Sequence, residues 1–140
     1  MSTFDLSLFI ADQVLGGIGS PGEAVTGPEK AAQRFSSILL TEKGSKEYDP
    51  SYGTDFIKYV RGGAIRTELD VNMYFNQAAM DALYYMNSQL TGTEADDEVI
   101  MSITLDHFEL NPPELNLYII MLTRDGVSRE LVLPVKMLET

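Results

Sequence analysis

Leu115-Asn116-Leu117-Tyr118-Ile119-Ile120-Met121-Leu122-Thr123, then Arg124-Asp125-Gly126-Val127, then Ser128-Arg129-Glu130-Leu131-Val132-Leu133-Pro134-Val135-Lys136, is the stretch from which the fold can be read. Its first segment is apolar on both parities, the pattern of a strand in the middle of a sheet. Asp125-Gly126 is the chemistry of a tight hairpin turn, because such turns need residues that tolerate positive φ. Beyond the turn, Leu131, Leu133 and Val135 fall on alternate positions, so this strand buries one face. Pro134 has no N–H to give to a ladder, which places the strand at a sheet edge. An edge leaves backbone groups unpaired, and a strand of another chain can add to them.

Upstream, Val99, Met101, Ile103 and Leu105 alternate in the same way, whereas Phe108 and Leu110 lie on the opposite parity. A β-bulge near Asp106-His107 accounts for the slip. Asn111-Pro112-Pro113-Glu114 reads as a turn, so residues 98–136 form three antiparallel strands. Before them, Val71, Phe75, Ala78, Ala79, Ala82, Leu83, Met86 and Leu90 recur at helical spacing from about Thr67 to Leu90. Met73, Tyr74, Met80, Tyr84 and Tyr85 widen that apolar surface, so the helix is deeply buried or covered by a partner.

A first helix is announced by Thr26-Gly27-Pro28-Glu29, a capping box with proline in the first turn. Ala31, Ala32, Phe35, Ile38 and Leu39 give its apolar face, and Lys43-Gly44 its stop. A short helix from Phe56 to Arg61 follows, capped by Thr54 or Asp55 and ended by Gly62-Gly63. Residues 1–27 read as a flexible N-terminal arm, with the glycine-rich run from Gly16 to Gly22 and the apolar Phe4, Leu6, Leu8, Phe9 and Ile10. Such an arm either docks on its own core or orders on a neighbouring subunit. Residues 28–140 form a single domain. The fold class is α+β: N-terminal helices and one long helix packed on an antiparallel C-terminal meander of at least three strands.

The formal charge is −11, from 21 acids against 10 bases. Nucleic-acid binding needs a basic surface to displace counterions, so DNA and RNA are poor partners, and basic proteins are better ones. No apolar run is long enough to span a membrane. The start, Met1-Ser2-Thr3-Phe4-Asp5, lacks the basic region of a signal peptide. The chain has no cysteine, which excludes disulfides and thiolate metal sites.

Phe35-Ser36-Ser37-Ile38-Leu39-Leu40-Thr41-Glu42-Lys43-Gly44-Ser45, followed by Tyr48-Asp49-Pro50-Ser51-Tyr52-Gly53-Thr54-Asp55-Phe56, is similar to the signature of the lysozyme-like baseplate wedge family of contractile phage tails, the sheath initiators. The resemblance covers about residues 28–136 and rests on the turn motif Tyr48, Asp49, Pro50, Tyr52, Gly53, Thr54 and Asp55 and on the order of elements. It departs from the family where many members carry Glu-Pro-Arg; here the chain reads Ala95-Asp96-Asp97-Glu98. The resemblance implies a structural, non-enzymatic subunit of the virion's tail baseplate, assembled in the host cytoplasm, that joins the wedge to the first sheath ring by strand exchange. The implied partners are the tail sheath protein, other baseplate wedge proteins, and tail tube or hub proteins. The sheath would dock along Val127, Arg129, Leu131, Leu133, Val135 and Lys136. No cofactor is implied. A homologous subunit of a type VI secretion system or phage-tail-like particle, a peptidoglycan-degrading lysozyme-like enzyme and a regulatory adaptor are the competing readings.

Glycoside hydrolysis needs two carboxyls across a cleft, one of them held protonated by apolar surroundings. Asp49 and Asp55 are the obvious pair, and turn formation and helix capping explain both equally well. His107 is the only histidine, so no triad or multi-histidine metal site can be assembled from it. Glu94, Asp96, Asp97 and Glu98 lack the spacing and glycine of a calcium loop and read as a solvated loop or partner contact. Neither Gly16-Gly17-Ile18-Gly19 nor Gly62-Gly63 is a phosphate loop, since no Gly-Lys-Ser/Thr follows.

Overall fold

The computed structural model describes the backbone of residues 2–5 and all of residues 27–137. In chain order these form β1 (Ser2–Asp5), α1 (Gly27–Leu40), α2 (Phe56–Arg61), α3 (Glu68–Ser88), a 3-10 turn (Asp96–Glu98), β2 (Ile100–Asn111), β3 (Glu114–Thr123) and β4 (Ser128–Lys136). The expected glycine-rich loop, the Thr26 cap and the last residues lie outside the described residues.

Three of the strands form the antiparallel meander, β2 against β3 and β3 against β4. Gly126 takes a positive φ of 86° at the hairpin, as the Asp-Gly pair predicts. The bulge is where the alternation slips: Leu105 pairs with Ile119 and the next pair is His107 with Tyr118, leaving Asp106 extra. Phe108 and Leu110 therefore sit opposite Leu117 and Leu115, on the same face as Ile103 and Leu105. Along β3, Leu115, Leu117, Ile119 and Met121 are buried, while Asn116, Tyr118, Ile120 and Leu122 are half-buried. The strand is internal, and among the described residues helices cover one of its faces.

The helices pack on that face. Thr67 caps α3 with a reciprocal bond pair: the Asp70 amide donates to the Thr67 hydroxyl at 3.2 Å, and the Thr67 amide to the Asp70 carboxylate at 3.1 Å. Val71, Phe75, Ala78, Ala79, Ala82 and Met86 are buried as their spacing predicts. The helix stops at Ser88, so Leu90 lies beyond it and is exposed. Phe75 meets Phe56 of α2 edge-on, ring centroids 6.0 Å apart, a favoured geometry for buried aromatic pairs. Phe35, Ile38 and Leu39 of α1 complete one continuous core with Leu131, Leu133 and Val135 of β4.

One expectation is overturned. β4 is not a bare edge: the sheet order is β1-β4-β3-β2, and β1 lies parallel to β4, with Ser2 beside Arg129 and Asp5 beside Val132. Proline keeps a strand from central ladders only where its missing donor is needed. Here β1 pairs with Arg129–Val132 and stops short of Pro134, so the proline sits where, among the described residues, no strand flanks that side. Of the arm expected over residues 1–27, residues 2–5 thus dock on their own domain. Residues 6–26 lie outside the described residues.

Because Phe75 is fully buried and Met80 on the same helix is exposed, two substitutions separate core from surface. Phe75→Ala should lower unfolding free energy by about 3–5 kcal/mol. Met80→Ala should change it by no more than about 0.5 kcal/mol. Urea denaturation followed by circular dichroism measures both.

Candidate interaction surfaces

The turn motif is a structural joint. α1 gives way at Leu40, before the expected stop at Lys43-Gly44, because Thr41 and Lys43 bond across to Thr54. The Thr54 amide donates to the Thr41 carbonyl at 2.9 Å, and the Lys43 amide to the Thr54 carbonyl at 3.1 Å. The Thr54 hydroxyl, fully buried, donates to the Leu39 carbonyl at 2.8 Å and accepts from the Phe56 amide at 3.2 Å. One side chain thus ties the end of α1 to the start of α2. Asp55 makes no side-chain cap; Thr54 takes the Phe56 donor instead. Gly53 has a φ of 111°, and a Cβ there would lie 2.5 Å from the Thr41 carbonyl oxygen. Only glycine fits such a close backbone approach.

The aromatic residues pin the turn to both helices. The Tyr52 and Ser37 hydroxyls are 2.5 Å apart, and the Tyr52 ring meets Tyr85 of α3 edge-on at 5.5 Å. Tyr85 donates its phenolic hydrogen bond to Asp49, which also accepts from the Ser51 amide at 3.3 Å. That bond to Asp49, reinforced by burial, raises the Tyr85 pKa above the usual phenol value. Tyr48 and Pro50 are exposed. Asp55 is not among the residues that line the cleft beside Asp49. Asp49 lines that cleft, of about 290 Å³, with Asp81, Tyr84, Tyr85 and Lys43, a neighbourhood that the sequence spacing does not reveal.

The residues expected to dock the sheath divide by parity. Leu131, Leu133 and Val135 point into the core. Arg129 turns back to the hairpin, donating to the Thr123 hydroxyl at 2.8 Å, with Asp125 3.7 Å away. Val127 lies in the hairpin loop ahead of β4, and Lys136 is exposed at its end. Along this strand a partner would therefore meet backbone, together with the outward side chains Glu130, Val132 and Pro134. The other margin of the sheet is β2. The bulge lies on it, with Asp106 and His107 exposed, His107 2.7 Å from the Asp106 carboxylate and stacked on Tyr118 at 4.1 Å. Bulges and charges of this kind discourage casual pairing at an edge. Glu109 holds the Tyr118 phenol above its ordinary pKa, chiefly by its charge.

The acidic loop after α3 is held from within. The Glu94 carboxylate accepts from the Thr91 amide at 2.8 Å and the Gly92 amide at 2.9 Å. These backbone donors, Thr91 first, pull its pKa from 4.5 down to about 2. Arg124 of the hairpin loop bonds Asp96 at 2.7 Å and the Glu94 carbonyl at 3.1 Å. Among the described residues, no cluster of histidine, aspartate and glutamate has the arrangement of a metal site. No described helix is long and apolar enough to cross a membrane.

No family model and no curated protein matches the chain. Its fold is similar to a crystal structure of a candidate tail lysozyme from Geobacter sulfurreducens. The two share 17% identity over 86% of this chain and 99% of that one, with a TM-score of 0.58. At that identity the likeness shows a common fold.

Two measurements probe these joints. Gly53→Ala should destabilise the domain by about 1–3 kcal/mol, from strained backbone in the left-handed region and the clash at Thr41. Glu94 carries a depressed folded pKa, so its contribution is present above pH 4.5 and lost as pH falls towards 2. Glu94→Gln should flatten the loss of stability across that window. Asp70, whose carboxylate is held low chiefly by the Arg66 amide, and Asp125, held low chiefly by the Thr123 hydroxyl, leave a residual slope.

Proposed function

We propose that this chain is a structural subunit of a contractile-tail baseplate. It joins the wedge to the first ring of sheath protein by strand pairing at the outer margin of β4, and it resides in the virion. Two features support the tail assignment: the turn motif between α1 and α2, and the fold it shares with a protein named as a candidate tail lysozyme. The observation that carries the joint is the cover on β4. Ser2–Asp5 pairs with Arg129–Val132 only, in parallel, and parallel pairing is slightly weaker per residue than antiparallel. The remaining half, Leu133–Lys136, has no partner on that side among the described residues. A sheath strand gains a template by displacing β1 from Arg129–Val132 and extending along Leu133–Lys136, where every residue but Pro134 has an amide N–H. Main-chain bonds then supply strength, and the outward Val132 and Pro134 supply register.

The role is architectural. Asp49, the carboxylate that a hydrolase would recruit from the turn, is engaged by Tyr85 and Ser51. Purified protein should leave peptidoglycan intact in a zymogram.

Cysteine pairs test the joint cleanly, because the natural chain has none. Thr3 and Glu130 are register partners on adjacent strands, and the usual spacing of about 4.8 Å between strands is within disulfide reach. A Thr3→Cys, Glu130→Cys protein, oxidised, should lose the ability to seed polymerisation of a co-expressed sheath subunit by at least ~10-fold, a barrier of about 1.4 kcal/mol. Reduction should restore it. Equal seeding by the locked and reduced forms would refute displacement of β1.

A further inference from the structure

The long helix α3 has a second face that no other described element covers. Leu69, Met73, Met80 and Tyr84 recur at helical spacing opposite the buried stripe and are 74%, 52%, 68% and 81% exposed. Asn72, Asn76 and Gln77 are exposed beside them, and the helix has no charged residue between Asp70 and Asp81. A solvent-facing helix surface ordinarily carries charges. A neutral surface rich in methionine and tyrosine has the composition of an interface core instead. At its C-terminal end the stripe opens into the cleft of about 290 Å³, where Tyr84 stands with Asp49 and Asp81. Lys43 also lines that cleft, so two acidic residues and one basic residue border it.

We propose that this face of α3 docks a basic amphipathic helix of another protein. The partner lays an apolar stripe along Leu69, Met73, Met80 and Tyr84 and sends an arginine or lysine into the cleft between Asp49 and Asp81. Charge selects this occupant over a second copy of the chain. α3 contains Glu68, Asp70 and Asp81 and no base, and the whole chain carries −11. Pairing two such helices would set acids against acids, whereas lysine and arginine flanks complement them. Leu69 to Tyr84 spans roughly 22 Å at 1.5 Å per residue, so about four turns of partner helix suffice. The surface belongs to the helix layer and is separate from the β4 margin, so it stands whether or not the sheath joint does.

The probe is a synthetic 18-residue helix with a leucine stripe and lysine and arginine flanks, titrated into the isotopically labelled full chain and followed by NMR. A peptide with glutamate flanks is the control. Binding should shift resonances of the exposed α3 face and the Tyr48–Ser51 turn, and the control should bind at least ~10-fold more weakly. Met80→Glu should weaken binding at least ~10-fold with unchanged circular dichroism. Asp81→Asn should reduce its salt dependence while keeping the apolar contact. The proposal is overturned by absence of binding at millimolar peptide, by shifts scattered over the acidic surface, or by equal binding to Met80→Glu. It is overturned equally if sedimentation shows a homodimer that Met80→Glu dissolves, since the occupant is then a second copy.

Discussion

The extra residue at Asp106 is the constraint on which the packing depends. Side chains along a strand alternate, so a one-residue slip sends a whole set to the opposite face. Without the bulge, Phe108 and Leu110 would face away from the helices while Ile103 and Leu105 faced them. With it, all of them meet the row Leu115, Leu117, Ile119 and Met121 on one side of the sheet. One continuous apolar face is what α3 and α1 need in order to bury Phe75, Phe35 and Ile38 together. The cost is a break in the ladder on β2, and it falls at a sheet margin, where pairing matters least.

The helices depend in turn on a joint that does not belong to any helix. Burying a hydroxyl is unfavourable unless its bonds are made, and Thr54 makes two, one to each flanking helix. Gly53 lets the backbone come close enough to Thr41 for those bonds to form. Tyr52 and Tyr85 then carry the turn onto α3. A motif that resembles a family signature by its sequence is thereby explained by the fold: aspartate, tyrosine, glycine and threonine each hold one strut of the same corner.

Wherever burial set the pattern, the sequence was legible. The stripe from Val71 to Met86, the Asp-Gly hairpin and the slipped phase at Asp106 all follow from core formation. β1 was not legible, since Ser2-Thr3-Phe4-Asp5 is too short to show an alternation and pairs with a strand far along the chain. Without β1, Pro134 marks a wholly open edge. Leu131, Leu133 and Val135 alternate and so share one face, but periodicity does not say whether a face meets its own core or a partner. The outer side of α3 did carry a signal, the absence of charge between Asp70 and Asp81. Met73, Met80 and Tyr84 blurred it by looking like more of the buried stripe.

β1 is also the shortest strand of the described sheet. Ordering four residues costs about 4–8 kcal/mol at ~1–2 kcal/mol each, and each backbone hydrogen bond returns only about 0.5–1.5 kcal/mol net. Backbone pairing alone therefore holds β1 on β4 weakly, in contrast to β3 and β4, whose inward side chains are sealed in the core. An incoming strand of greater length, able to reach Leu133–Lys136, makes the bonds β1 makes and more besides. Exchange at this margin then asks nothing of Leu131, Leu133 or Val135, which keep their places. On the proposed reading, the sheet would take up its neighbour along backbone while these three side chains stay buried.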